Sequence, residues 1–371
     1  MDGMFVIRSL NYGGAERQFV LLAKGLHQKG RKVAVAQFYG GGPLEADLRA
    51  AGVTVYNLDK RGRNDIAAFG YRLVQLIRHV RPQAIYSWLE TPNIVTAVLR
   101  PFYPGTRVIW ALRSSNVDLS QYDWLARLCY WSAGKTSRFA DLIISNSRSG
   151  MEHAICAGYP AKKMMVIPNG VDTDRFKPDP GAREQIRREW GIGDEELLIG
   201  MVARVDPMKD HPNFLRAAAD LSQSRDGLRF ACVGDGPPER LAELERLAEE
   251  LGIQNRLIWR PARQDVERVY NAFDVAALSS SYGEGFPNVV GEAMACGVPC
   301  AVTDVGDCAL VVGDTGFTAP PKDPKALADA MAKCLSSDRA ELGARARWRI
   351  VEEFSLEKMI ESTEHALWPT D

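Results

Sequence analysis

The chain has 371 residues, 46% hydrophobic and 25% charged, ordinary globular values that exclude collagen, low-complexity scaffolds and wholesale disorder. Net charge is −1, but residues 1–180 carry 24 Lys+Arg against 14 Asp+Glu (+10) and the remainder 22 against 33 (−11). The basic half points to an anionic surface or substrate, and no nucleic-acid motif accompanies it.

From the N-terminus, Met1-Asp2 leads straight into Phe5-Val6-Ile7 without a basic n-region, so no secretory leader is expected. Apolar, β-branched runs at 4–8, 32–38, 53–58, 84–88, 107–112, 142–145 and 165–167 predict strands. Helical periodicity lies between them, most clearly at 15–29 and 71–80. Breakers follow at Pro168-Asn169-Gly170 and Pro178-Asp179-Pro180-Gly181, where a linker is expected. The alternation restarts with strands at 197–205, 228–233, 256–259, 275–278, 299–303 and 316–319, separated by helices at 213–223, 238–251 and 324–335. Strand–helix alternation predicts α/β architecture with parallel sheets, here two Rossmann-like doubly wound domains. Ligands of such sheets bind at the strands' carboxyl ends, and two facing sheets make a cleft the default site. No run approaches the ~20 apolar residues of a membrane span. Two basic-aromatic stretches, 69–81 and 122–138, read as amphipathic helices with a solvated basic face, or as peripheral contacts with an anionic membrane. Seven scattered cysteines without a CxxC pair fit a reduced cytoplasmic protein with no structural zinc.

Three segments carry chemistry. Gly13-Gly14-Ala15-Glu16-Arg17 follows the first strand and opens the first helix, so its backbone N–H groups suit an anion. Arg204 and Lys209 leave the first strand of the second half, a fork and a point charge able to hold a diphosphate. Glu284-Gly285-Phe286-Pro287-Asn288-Val289-Val290-Gly291-Glu292 sets two carboxylates eight positions apart across a turn. Pro287 suits a helix start, which leaves Glu284 in a loop and puts Glu292 on the helix. The helix N-terminus suits phosphate oxygens, and ionised glutamates accept from paired sugar hydroxyls.

At these places the chain resembles the family-4 type of retaining, nucleotide-sugar-dependent glycosyltransferases with the GT-B fold. Glu284 to Glu292 matches the family's E-x7-E signature, and Gly13–Arg17, 166–172, Arg204/Lys209 and Phe354-Ser355 resemble its other landmarks. The resemblance implies two facing domains, at 1–177 (plus about 355–371) for the acceptor and 178–354 for the nucleotide-sugar donor, with the last helix crossing back to the first. It implies that Glu284, Arg204 and Lys209 are catalytic. Glu284 would hold donor-sugar hydroxyls and the two cations the departing diphosphate. Glu292 would bind ribose, backbone groups of Phe286, Pro287, Asn288 and Val289 the phosphates and sugar, Gly14 the reacting centre, and Arg263 the base. The implied reaction is retaining transfer of a hexosyl or N-acetylhexosaminyl group, UDP being the expected carrier, to a polysaccharide, lipid-linked or other glycan acceptor, with no metal or cofactor.

The sequence departs from the family where many members carry a histidine after the fifth strand. Arg113 stands there, followed by Asn116, and both are candidate contacts for acceptor or sugar. An always-charged guanidinium is no general base, so the histidine's role does not carry over. That departure leaves open a non-catalytic sugar-nucleotide-binding partner subunit, beside a GT-B sugar-nucleotide epimerase. Asp172-Thr173-Asp174 spells D-x-D, but in the interdomain turn it reads as structure rather than a metal site.

Overall fold

The structure is a computed structural model that describes residues 1–62, 64–113 and 124–369. The chain runs β1 (Gly3–Ile7), α1 (Gly14–Gln28), β2 (Val33–Gln37), α2 (Glu45–Ala50), β3 (Thr54–Asn57), α3 (Ile66–Val80), β4 (Ala84–Trp88), α4 (Glu90–Leu99), β5 (Arg107–Leu112), α5 (Trp124–Thr136), β6 (Leu142–Ser145), α6 (Arg148–Cys156) and β7 (Met164–Val166). It continues through α7 (Pro180–Trp190), β8 (Leu197–Val202), α8 (His211–Ser224), β9 (Leu228–Val233), α9 (Pro238–Glu250), β10 (Leu257–Arg260), α10 (Val266–Ala272), β11 (Val275–Leu278), α11 (Asn288–Ala295), β12 (Cys300–Thr303), α12 (Cys308–Val312) and β13 (Gly316–Ala319). Three helices close it: α13 (Pro324–Ser336), α14 (Arg339–Phe354) and α15 (Leu356–Leu367).

Two compact units result, Met1–Gly170 with Leu356–Asp371, and Val171–Ser355. The first holds the sheet β3-β2-β1-β4-β5-β6-β7, the second β10-β9-β8-β11-β12-β13. Every strand pairing within them is parallel, as in β1 on β2 with Phe5 opposite Val35. Each sheet has an apolar layer on both faces, which is why the inner strands read as unbroken apolar runs.

The division falls at Gly170/Val171, not at 177. Gly170 is clamped inside the first unit, donating from its N–H to Gln18 Oε1 (3.2 Å) and accepting from Gln18 Nε2 (2.9 Å). Val171 donates to the Phe354 carbonyl (2.8 Å), and its side chain joins Phe176 in the second unit's core. The breakers at 178–181 do not form the linker. Asp179 caps α7 by accepting from Ala182 N–H (2.9 Å), and Pro180 takes a first-turn position that needs no N–H donor. The chain returns to the first unit at Leu356. There α15 packs on α1, with Arg31 paired to Glu364 (2.6 Å) and Trp368 Nε1 donating to the Asp2 carbonyl (3.2 Å).

Candidate active site

In the second sheet the winding reverses between β8 and β11, so the loops leaving these two strands part and open a crevice at their carboxyl ends. The expected strand 197–205 stops at Val202, where β8 and β9 tips pass into turns. There Gly234 runs so close to the Ala203 carbonyl that a Cβ would lie 2.1 Å from its oxygen. Pro207–Lys209 forms a short 3-10 turn, with Asp206 Oδ1 accepting from Met208 N–H (3.0 Å). The segment after β11 staples that turn. Ser281 N–H donates to the Met208 carbonyl (2.8 Å), and Ser279 Oγ reaches the carbonyls of Lys209 (2.8 Å) and Asp210 (2.9 Å).

Lys209 and Glu284, 75 residues apart, meet in this framework. Lys209 Nζ pairs with Glu284 Oε1, and the same oxygen accepts from Ser280 Oγ (2.5 Å). Glu284 is 6% exposed, and a buried carboxylate needs such donors. Ser280 is held in turn by Thr303 Oγ1 on its carbonyl (2.6 Å), and Asp307 N–H holds the Gly285 carbonyl (3.1 Å). Beside Lys209, His211 is 2% exposed and faces Trp259 in a stacked arrangement. Burial first, and then the Lys209 charge, pull its pKa down to about 4, so it is neutral at pH 7.

Glu292 lies on α11, whose neighbouring positions Gly291, Ala293, Met294 and Ala295 are buried. Its Oε2 accepts from Tyr270 Oη of α10 (2.9 Å). Pro287 is the residue before the helix, its carbonyl accepting from Val290 N–H (3.0 Å), and Gly297 ends the helix at φ +77. The Phe286 side chain is core, packed on Phe354 with ring centroids 5.4 Å apart, which leaves its backbone as the part able to meet a ligand. Asn288 and Val289 occupy the first turn of α11, where N–H groups have no intrahelical acceptor.

The other anticipated residues have partners or surroundings of their own. The Arg204 side chain is 73% exposed and reaches Asp206 at 3.4 Å. Arg263, after β10 at the sheet edge, is forked onto Asp265 (2.9 Å twice) and onto Glu189 (2.5 Å). Gly14 is the exposed first residue of α1 in the other unit. Arg113 belongs to that unit as well. Its guanidinium carbon sits over Trp88 (3.6 Å to the ring centroid), and it donates to Tyr86 Oη (2.8 Å) and Asn169 Oδ1 (3.0 Å). Burial holds its pKa below the usual guanidinium value, yet an arginine stays charged there. Asn116 lies outside the described residues. In the D-x-D segment, Asp172 Oδ1 accepts from Arg175 N–H (3.0 Å), a local turn.

Comparison with known proteins follows the same two halves. The model of "Glycosyltransferase Family 4" matches residues 12–175, and that of "Glycosyl transferases group 1" matches 182–349. The chain belongs to the family 4, group 1 glycosyltransferases. Among curated relatives of this chain, the D-inositol 3-phosphate glycosyltransferase of Corynebacterium jeikeium is 36% identical over 212 residues, 54% of this chain and 50% of that protein. The putative glycosyltransferase EpsF of Bacillus subtilis is 33% identical over 145 residues, 38% of this chain and 36% of that protein. The matched stretch thus spans about half, or less, of these relatives' own length. The fold matches GT-B structures over the whole chain. The crystal structure of Anabaena Alr3699/HepE in complex with UDP superposes with TM-score 0.87 at 23% identity, covering 99% of both chains. WaaG, a glycosyltransferase involved in lipopolysaccharide biosynthesis, gives 0.75 at 18%, covering 99% of this chain and 100% of that one.

Reading the sequence alone missed Ser280, Tyr270 and Gln18. Each acts on a partner far along the chain or through a hydroxyl that looks like surface or core filler. The one legible hint was Ser279-Ser280-Ser281, polar residues directly after an all-apolar strand.

Proposed function

We propose that this chain transfers a sugar from a UDP-linked donor to a glycan or lipid-linked acceptor, with retention at the anomeric carbon and without a metal. The observation that carries the reading is the carboxylate of Glu284 locked on Lys209 and Ser280 at the switch point of the second sheet. Departure of a nucleoside diphosphate builds negative charge on its oxygens, and fixed cations and dipoles aimed there lower the barrier. Lys209 supplies a point charge whose ammonium has three donors, of which Glu284 takes one. Arg204 supplies a mobile fork, and the first turn of α11 supplies N–H groups for phosphate oxygens. Glu284 accepts from donor-sugar hydroxyls and Glu292 from the ribose. The second unit is the donor unit and the first the acceptor unit.

Support for the nucleotide comes from Anabaena HepE, crystallised with UDP and with UDP-glucose. The D-inositol 3-phosphate named for the curated relatives is a phosphorylated polyol, and the basic half of this chain fits an anionic acceptor of that kind. Membrane contact is part of the reading. Tyr71 on α3, Val98 on α4 and Trp131 on α5 are exposed, with Lys135 near the Trp131 ring (5.9 Å). Among the described residues no helix is long and apolar enough to cross a membrane. Flotation with vesicles containing phosphatidylglycerol, but not with neutral ones, is expected; equal flotation with neither removes the membrane from the reading.

A thermal-shift screen with UDP, GDP, ADP and TDP in chelator tests the donor site. Ligand that binds only the folded chain raises Tm. UDP should give the largest rise, and Glu292→Ala should abolish it. A rise that survives in Glu292→Ala breaks the site assignment, and a rise that needs added Mg2+ or Mn2+ breaks the metal independence. No rise with any nucleotide breaks the donor reading.

A further inference from the structure

Tyr270 is 1% exposed and lies in the apolar layer of the second unit, its ring 6.1 Å from Phe176 and 6.2 Å from Phe273 by centroids. Phenylalanine would fill that space equally well. A phenol hydroxyl sunk among apolar side chains needs an acceptor. The acceptor is Oε2 of Glu292, at 2.9 Å. Glu292 is half-buried, on a helix whose fit is tight enough that a Cβ on Gly291 would sit 2.8 Å from Val171. The glutamate backbone is therefore fixed, and the remaining freedom is in its side-chain torsions. A hydrogen bond from a rigid ring removes that freedom before ligand arrives, a cost otherwise met at binding.

We propose that Tyr270 is a positioning residue: its hydroxyl holds the Glu292 carboxylate in the orientation that accepts the paired hydroxyls of the nucleotide's ribose. The inference rests on the reading of Glu292 as the ribose ligand. Burial, and secondarily the charge of Glu292, push the Tyr270 pKa well above its ordinary value, so the phenol keeps its proton and remains a donor at all working pH. Because Tyr270 touches Glu292 and not the ribose, its effect depends on there being ribose hydroxyls to accept.

The experiment measures binding of UDP and of 2′,3′-dideoxy-UDP by calorimetry to wild type, Glu292→Ala and Tyr270→Phe. Wild type should bind dideoxy-UDP at least tenfold more weakly than UDP. Tyr270→Phe should lose about tenfold for UDP, the size of one hydrogen bond to an ionised group, and nothing for dideoxy-UDP. In turnover of the UDP-sugar, Tyr270→Phe should raise KM with kcat unchanged. Phenylalanine keeps the ring contacts, and an unchanged far-ultraviolet dichroism confirms a folded variant. Equal loss for both nucleotides would mean that Tyr270 supports α11 only, and overturns the inference while leaving Glu292 in place. No loss for UDP overturns it too. A wild type that does not distinguish the two nucleotides overturns both the inference and the ribose role of Glu292.

Discussion

The two units have the same winding at their centres and different chemistry there. In the first sheet the order reverses between β1 and β4, in the second between β8 and β11. The loop after β1 offers Gly13-Gly14 and a helix start; the loop after β8 offers Lys209, paired to a buried glutamate from the loop after β11, across the reversal. The first unit also has a cation at a strand end, Arg113 after β5. That cation is committed to Trp88, Tyr86 and Asn169, whereas Lys209 is held by a carboxylate that is itself a candidate ligand. Topology thus supplies a crevice twice, and side chains decide what each can do.

The sharpest way to break this comparison is Lys209→Ala. The variant should release UDP from the UDP-sugar chosen by the nucleotide screen about 100- to 1,000-fold more slowly, the usual loss when one preorganised donor to a developing charge is removed. It should also be less stable by roughly 3 kcal/mol, because Glu284 keeps its buried charge without its cation. Single-turnover kinetics and urea unfolding read the two effects separately. A folded variant within tenfold of wild type in rate would make the pair structural.

Arg113→Ala tests the other side. Removing a guanidinium that lies on an indole and donates to two buried or half-buried acceptors should cost about 3 kcal/mol of stability. Arg113→Lys should recover only part of it, since an ammonium neither stacks nor spans both acceptors. The Tm rise given by UDP should be unchanged in both variants, because every contact described for Arg113 is within the first unit. If UDP binding falls while apo stability holds, Arg113 is a ligand contact and the contrast between the units fails.

How much of this was legible in the sequence follows from the range of each interaction. Both sheets, strand by strand, were readable because doubly covered parallel strands are short apolar runs bounded by Gly, Pro and Asn. The α11 start at Pro287 and end at Gly297 were readable because caps and breakers act within four residues. Of the two breaker stretches, Pro168–Gly170 ends at the division and Pro178–Gly181 does not mark it, because breakers mark a helix start as well as a linker; Val171 bonding to Phe354, 183 positions on, separates the cases. The E-x7-E spacing announced Glu284 and Glu292 but not their partners Ser280 and Tyr270. Nothing local distinguishes a tyrosine that orients a carboxylate from one that fills a core. The contacts of Arg263 were half legible for the same reason: Asp265 is visible two positions on, but Glu189 arrives from α7.

The smallest effect expected is also the most selective. Arg204 has a side chain 73% exposed and one long contact to Asp206 (3.4 Å), so Arg204→Ala should leave stability within about 0.5 kcal/mol of wild type. A solvated arginine that reaches phosphate only when ligand is present adds affinity without having been bound beforehand. UDP affinity should therefore fall about fivefold to tenfold, a size typical of one charge-assisted contact partly screened by water, and the fall should shrink as salt rises from 50 to 500 mM. Lys209→Ala should show little of that salt dependence, because its charge works against a buried partner rather than through solvent. Titrating UDP into both variants at the two ionic strengths separates the roles. If the Arg204→Ala loss is as large at high salt as at low salt, its guanidinium is desolvated in the complex and ranks with Lys209; if there is no loss at either, the diphosphate is held by Lys209 and the first turn of α11 alone.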